Sequence, residues 1–346
     1  MSDVANQLSA IMAPLNPWLQ DTATEDIALN RPYEAWVRQN GRFLQVEVPL
    51  DYDDLYDIAV LAGALNRQNV GDRHPLLAAD LPRGERLQAV LPPCVPPGTV
   101  SLTMRVHASN VVPIDRAAER YDLSRWNQWG NRHAVRRQID QHVIDLYDAG
   151  DAVGFFKQAI RSRLNILFCG ATGSGKTTCF KSVIAEIDAD ERLLTIENAL
   201  ELQIVNQPNH VRLLYSHGDQ GVAAVDQRQL LEACLRMRPD RVLVGELRDP
   251  DAAYTYANEL MTGHPGSPST IHGADASQAV TRLFNLIKGS AAGRGYSDEM
   301  LISQLGMVVD IVIPFREDAG RFSINEVWFN VDAKRRGADI RELLEV

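Results

Sequence analysis

Residues 170–178, Gly170-Ala171-Thr172-Gly173-Ser174-Gly175-Lys176-Thr177-Thr178, follow directly on Asn165-Ile166-Leu167-Phe168-Cys169. Gly170, Gly175, Lys176 and Thr177 satisfy G-x-x-x-x-G-K-[ST], behind a predicted strand and ahead of a helix predicted over about 176–187. A strand, a glycine-rich turn and a helix in that order belong to a layered α/β fold. The chemistry follows from the residue types. Glycines let backbone amides turn inward, and the helix N-terminus adds a partial positive charge facing an anion. Lys176 can reach β- and γ-phosphates, and the Thr177 hydroxyl can ligand Mg²⁺. With Thr172, Gly173, Ser174 and Thr178 completing the cradle, the stretch is predicted to bind a nucleoside triphosphate.

The rest of the chain supplies a frame for that cradle. Downstream, "RLLTIEN", "HVRLLYS" and "RVLVGEL" read as strands, alternating with helices in "DQRQLLEACLRMR", "DAAYTYANELM" and "SQAVTRLFNLIKG". Strands alternating with helices imply a mostly parallel sheet with crossover helices. "MVVDIVIPFRED" and "RFSINEVWFNV" read as a hairpin closing it. Upstream, "EAWVRQNGRFLQVEVP" alternates around Gly41 as a hairpin, and "DDLYDIAVLAGALNR" has helical spacing with an acidic first turn. "RLQAVLPPCVPPGTVSLTMRVH" gives two strands around a proline-rich connection. The expected division is an N-terminal α+β domain over 1–107, a partly helical linker over 108–145 and a C-terminal α/β domain over 146–346.

Charge and cysteine usage narrow the function. A formal charge of -10 disfavours direct nucleic-acid binding, since phosphate backbones demand clustered Lys and Arg. The one basic stretch, Arg125–Arg137, carries two tryptophans and reads as a solvated linker segment. Cys94, Cys169, Cys179 and Cys234 lack CxxC spacing and read as small buried residues of a reducing compartment. There is no run of ~18 apolar residues and no signal peptide, so the chain is expected in the cytoplasm. Leu8, Ile11, Met12 and Leu15 form a helical stripe, expected to dock on the chain's own core or else to meet a membrane surface peripherally.

Acids and histidines are predicted to gather around the cradle. "RVLVGELRDP" delivers Glu246 at a strand's C-terminal end, the rim where open α/β sheets bind ligands. A carboxylate there can orient water or act through the Mg²⁺ shell. Glu197, ending "LLTIEN", reaches the same rim. In "TGHPGSPSTIHG", His264 and His272 lack metal-ligand spacing, and a strand-end His is better suited to sensing the γ-phosphate. Arg236, Arg238 and Arg241 end a helix, where they either cap its C-terminus or reach a neighbouring subunit's site.

These segments, in this order, resemble the secretion (traffic) ATPase superfamily: a P-loop, an acid box in "TIEN", a Walker B strand in "VLVGELR" and a histidine box in "TGHPGSPSTIHG". Within it the chain is most similar to the hexameric type IV secretion and conjugation ATPases, the family of the eleventh VirB component. "HPLLAADLPRGERLQAVLPP" followed by "VSLTMR" is similar to that family's N-terminal domain. The resemblance implies a RecA-like ATPase domain, ATP with Mg²⁺, a homohexamer, and other secretion components, further ATPases among them, at the bacterial inner membrane. It also implies Glu246 as the Walker B acid, Glu197 as the acid-box glutamate and His272 as the histidine-box residue. Arg86 and Arg105 would be the N-terminal arginines that reach the phosphates of a nucleotide held between the two domains of a protomer, and Arg238 the arginine given by the adjacent subunit. Asn198 stands where the acid box usually has Asp, and Gly273 where Ala is commoner. A pilus or type II secretion motor would share every box. The phosphate cradle is also compatible with a nucleic-acid translocase or a nucleotide-sensing assembly scaffold.

Overall fold

The structure is a computed structural model and describes residues 3–106, 140–216 and 221–344. The basic stretch Arg125–Arg137 lies outside the described residues. The first half forms a six-stranded antiparallel sheet from β1 (Thr24–Leu29), β2 (Glu34–Gln39), β3 (Arg42–Glu47), β4 (Leu76–Asp80), β5 (Arg86–Val90) and β6 (Ser101–Arg105), in the order β3-β2-β1-β6-β5-β4. Asn40 and Gly41 both take positive φ, 49° and 79°, and close β2 onto β3 through the pair Gln39↔Arg42. Two left-handed residues match the twist of a tight hairpin, which is why Asn-Gly is so strong a signal there. Helix α1 (Asp3–Ile11) and the turns after it bury Leu8, Met12, Leu15 and Leu19 in the same core as helix α3 (Tyr52–Leu65). The short helix α2 (Asn16–Leu19) ends that N-terminal run.

Strand β1 has no periodic signature in the sequence, and its position explains why. It is central, and Thr24 and Asp26 are buried beside Ile27, Ala28 and Leu29, so no polar-apolar alternation marks it. Its acids are balanced from the neighbouring strands: Arg38 on β2 pairs with Glu25, and Arg105 Nε on β6 lies 3.3 Å from Asp26 Oδ1.

The second half begins with helices α4 (Gln141–Asp148) and α5 (Ala152–Arg161), whose Tyr147 and Phe155 pack on Phe329 with ring centroids 5.2 and 5.3 Å away. An eight-stranded sheet follows. Its strands are β7 (Ile166–Gly170), β8 (Leu193–Glu197), β9 (His210–Leu214), β10 (Arg241–Val244), β11 (Ser269–Ile271), β12 (Ile311–Asp318), β13 (Arg321–Ser323) and β14 (Trp328–Phe329). The order is β13-β12-β7-β11-β10-β8-β9; every pair from β12 to β9 is parallel, and β13 and β14 run antiparallel to β12. Helices α6 (Lys176–Ile184), α7 (Gln227–Cys234), α8 (Pro250–Thr262), α9 (Ala276–Gly289), α10 (Asp298–Val308) and α11 (Asn330–Arg335) connect the strands and cover the faces. The closing hairpin is present as β12–β13, but Met307 and Val308 belong to α10 rather than to the strand. No helix of the described residues is long and apolar enough to cross a membrane.

Buried charge ties the lower, N-terminal ends of these strands together. Arg241, fully buried, donates to both oxygens of Glu191 at 2.8 and 2.7 Å and to the carbonyls of Ile160 and Gly266. Those bonds make Arg241 a framework residue and take it out of the three arginines considered for a neighbouring site. Breaking such a pair from one side leaves an unpaired buried charge, which costs about 3–5 kcal/mol. Glu191→Gln is therefore expected to lower the unfolding free energy of this half, read from urea denaturation, by about that amount and to move the midpoint down with it. An unchanged midpoint would show that the pair carries no stability.

Candidate functional site

Strand β7 is buried along its whole length and delivers the glycine-rich turn to the C-terminal rim of the sheet. Gly170, Gly173 and Gly175 take positive φ of 152°, 81° and 88°. Gly170 also has no room for a side chain, because a Cβ there would stand 2.5 Å from Ser174 Oγ and 2.6 Å from the Phe315 carbonyl. Gly175 is the N-cap of α6, so the turn closes over the amides at that helix start. The Lys176 ammonium folds back on the turn, donating to Gly170 O at 2.8 Å and Ala171 O at 2.6 Å. Burial holds its pKa below the ordinary lysine value, and the charge of Glu246 opposes that shift. Ser174 Oγ is buried without a hydrogen-bond partner, while Ala171, Thr172 and Gly173 are exposed. Phosphate oxygens fit this arrangement, since the cation and amides of the turn have only local carbonyls to satisfy them.

Glu246 follows β10, two strands across from β7, with Arg248 and His272 standing against its carboxylate. Arg248 Nη2 donates to Oε2 at 2.5 Å, and His272 Nε2 lies 2.8 Å from Oε1. His272 reaches it from the end of β11, the strand between β7 and β10. Gln227, at the start of α7, donates to the Glu246 carbonyl at 2.8 Å and fixes the backbone. The fold thus brings Lys176, Thr177, Glu246 and His272 to one rim. Arg248 belongs with them, a residue that sequence reasoning misses. The available signal is its place two residues beyond Glu246, which puts both side chains on one side of an extended segment.

The two histidines do different work. His264 sits before β11, with Nδ1 3.3 Å from Glu259 Oε2 of α8, among residues such as Gly266 and Ser267 that bond the N-terminal end of β10. His272 is at the opposite, C-terminal end. They stand at opposite ends of β11 against different carboxylates, Glu259 and Glu246, so they do not share a site.

Glu197 differs from Glu246 in being saturated by its own chain. One oxygen accepts from Thr195 Oγ1 at 2.8 Å and from Arg212 at 3.5 Å; the other accepts the amides of Glu201 and Leu202 at 2.9 and 2.6 Å. This carboxylate pins the loop after β8 to the rim. Gly245 packs directly over this strand end, where a Cβ would stand in ordinary contact with Ile196 O at 3.4 Å and Glu197 Cγ at 3.6 Å.

The arginines assemble elsewhere in the protomer. Cross-strand register places Arg86 opposite Arg105, Arg105 opposite Asp26, and Asp26 opposite Arg38. Arg238, left-handed at φ 55°, brings its Nε to 3.9 Å from Asp26 Oδ2, and Arg38 Nη1 is also 3.9 Å from that oxygen. Arg38, Arg105 and Arg238 therefore converge on one buried carboxylate, a grouping that links the N-terminal sheet to the end of α7. Among the described residues, no hydrogen bond or ion pair joins Arg86, Arg105 or Arg238 to residues 170–178 of the same protomer. Arg38 carries no local signal of this role, because it becomes a neighbour only through strand pairing.

Residues 10–313 match the family described as type II/IV secretion system protein. Protein VirB11 of Rhizobium radiobacter is 50% identical over 342 residues, 99% of each chain. Type IV secretion system protein VirB11 of Bartonella quintana is 35% identical over 328 residues, 92% of each chain. Among solved structures, the VirB11 ATPase of the Brucella suis type IV secretion system, crystallised with sulphate, superposes with a TM-score of 0.88 at 32% identity, covering 96% of this chain and 97% of the other.

The rim geometry predicts that Glu246→Gln keeps nucleotide affinity and lowers kcat by about 10²–10⁴, the usual worth of a positioned acid or base. Single-turnover hydrolysis with binding measured in parallel checks this. An unchanged rate would remove Glu246 from the chemistry.

Proposed function

This chain belongs to the type II/IV secretion system protein family, and on that premise we propose that it is a ring-forming ATPase that powers a type IV secretion or conjugation machine from the cytoplasmic side of the inner membrane. The observation that carries the reading is the convergence of Lys176 with the Glu246–His272 pair on one sheet rim. ATP hydrolysis is the activity of the family. Residues 170–178 hold the triphosphate by their amides, and Lys176 leaves the Gly170 and Ala171 carbonyls for the β- and γ-phosphates. Thr177, at the first turn of α6, would hold Mg²⁺, which when bound supplies charge neutralisation between the phosphates. Glu246 orients the attacking water and is freed for that task when Arg248 shifts toward incoming phosphate charge. His272, already against Glu246, registers whether the γ-phosphate is present. Glu197 keeps the rim in shape.

The arginines take part between subunits. Arg86, Arg105 and Arg238 lie on a common surface of the protomer, and we assign them to the phosphates of the adjacent subunit in a homohexamer. Arg38 and Asp26 hold that surface together. Assembly then gates turnover, because, among the described residues, Arg86, Arg105 and Arg238 make no bond to the glycine-rich turn of their own protomer. The same reading divides the chain into an N-terminal domain (1–107), a linker (108–145) and a motor domain (146–346), whose relative motion transmits the hydrolysis cycle to the secretion partners.

ATPase rate per subunit is expected to climb with protein concentration as rings form, with oligomer mass followed alongside. In Arg238→Ala the rings should persist while kcat falls about 10³- to 10⁵-fold. A rate that ignores assembly would sink the shared site and leave a self-contained ATPase. Chelation by EDTA should also stop turnover and excess Mg²⁺ restore it; full activity in EDTA would remove the cation from the scheme.

A further inference from the structure

The residues named so far are assigned to the phosphates of a nucleotide, and none of them to its base. Strand order gives an argument for the side on which the base lies. Glu246 and His272 stand on the β11–β10 side of β7, so the hydrolysed end of ATP points that way. The nucleoside end therefore leaves over the other neighbour of β7, strand β12.

Strand β12 outruns β7 there. Their pairing ends at Phe315↔Gly170, the first glycine of the turn, and Arg316–Asp318 continue beyond it with β13 folded back alongside. In that overhanging hairpin Phe322 pairs with Glu317, and its ring lies 3.4–3.9 Å from where a Cβ on Gly175 would stand. The ring thus rests against the N-cap of the phosphate-binding helix while remaining 64% exposed. An aromatic held in the open beside a polar turn, on the nucleoside side, has a flat apolar face to offer. Every base has a π-face, so base–aromatic stacking is tolerant of base identity.

We infer that Phe322 is the contact for the base of the bound nucleotide, so the β12–β13 hairpin forms the nucleoside half of the site. This rests on residues 170–178 being the ATP site. Purines, with the larger face, are held better than pyrimidines, and the hairpin contributes affinity without touching the γ-phosphate.

The test compares a nucleotide with a ligand that has phosphates and no base. ADP and inorganic tripolyphosphate are titrated calorimetrically into the full-length wild type, Phe322→Ala and Phe322→Tyr. Loss of one base–aromatic contact should weaken ADP binding to Phe322→Ala roughly 5- to 100-fold and leave tripolyphosphate within about twofold. Phe322→Tyr, which keeps the ring, should bind ADP like the wild type. Equal losses for both ligands would mean that the hairpin only shapes the phosphate turn, and would overturn the inference. So would unaltered ADP binding, with or without a change in ring mass. A wild type that binds neither ligand would instead overturn the ATP site itself.

Discussion

Two consecutive charged residues, Glu191 and Arg192, are buried just before β8, 6% and 0% exposed. Each removes a charge from water, a cost of several kcal/mol that only near-complete hydrogen bonding offsets. Glu191 meets it with Arg241 and Arg163, which knit β8, β10 and α5 at the lower end of the eight-stranded sheet. Arg192 meets it from both halves, donating to Met237 O at 3.0 Å and Asn209 Oδ1 in its own half and to Asn30 Oδ1 at 2.8 Å and Thr103 Oγ1 at 3.3 Å in the N-terminal half. Its guanidinium also lies 5.8 Å from the Phe43 ring centroid. Burial lowers its pKa to about 10, which leaves it charged at neutral pH. Strand β8 starts from this knot, and Glu197 at its far end reaches the rim because the start is fixed.

The knot also sets the relation between the halves. Asn30 donates to Asn209 at 3.0 Å, and the Leu214 amide donates to Cys94 O at 2.9 Å. Cys94, Val90 and Val95 enter the hydrophobic core of the C-terminal half. Burial raises the Cys94 and Cys169 thiols to about 12, and Cys234 and Cys179 are raised as well, so all four are packing groups with little thiolate character. The N-terminal sheet is consequently held against the β9 edge, and its arginine row stands beside Arg238 rather than over its own phosphate turn. A parallel sheet separates scaffold from chemistry in the same way. Buried ion pairs collect at the lower ends of the strands, and the residues that meet a ligand collect at the upper ends.

The cradle, the strand-end acids, the Asn-Gly hairpin and the alternation of strands with helices are all legible in the chain, because each depends on neighbours within a few residues. Glycine φ values, a helix N-cap and the period of buried side chains are local properties. Strand β1 is not legible, since its burial is central and its acids are neutralised from β2 and β6. Residues with identical local signals also diverge. His264 and His272 lie in one short segment yet serve opposite ends of the sheet, and Arg238 and Arg241 follow one helix yet only Arg241 is sealed inside.

By itself, then, the sequence determined that a glycine-rich turn is carried on a mostly parallel α/β sheet with Glu246 and His272 at strand ends. Only the tertiary structure decided which charges are engaged. Glu197 is saturated by a loop's own amides, Glu246 is held between Arg248 and His272, and Arg38, Arg105 and Arg238 share Asp26. It also set Phe322 against Gly175 from a distant part of the chain. The reason is the range of the interactions. Backbone preferences act between neighbours in the chain, whereas the partner of a charge or an aromatic face is whichever group strand order and register bring beside it.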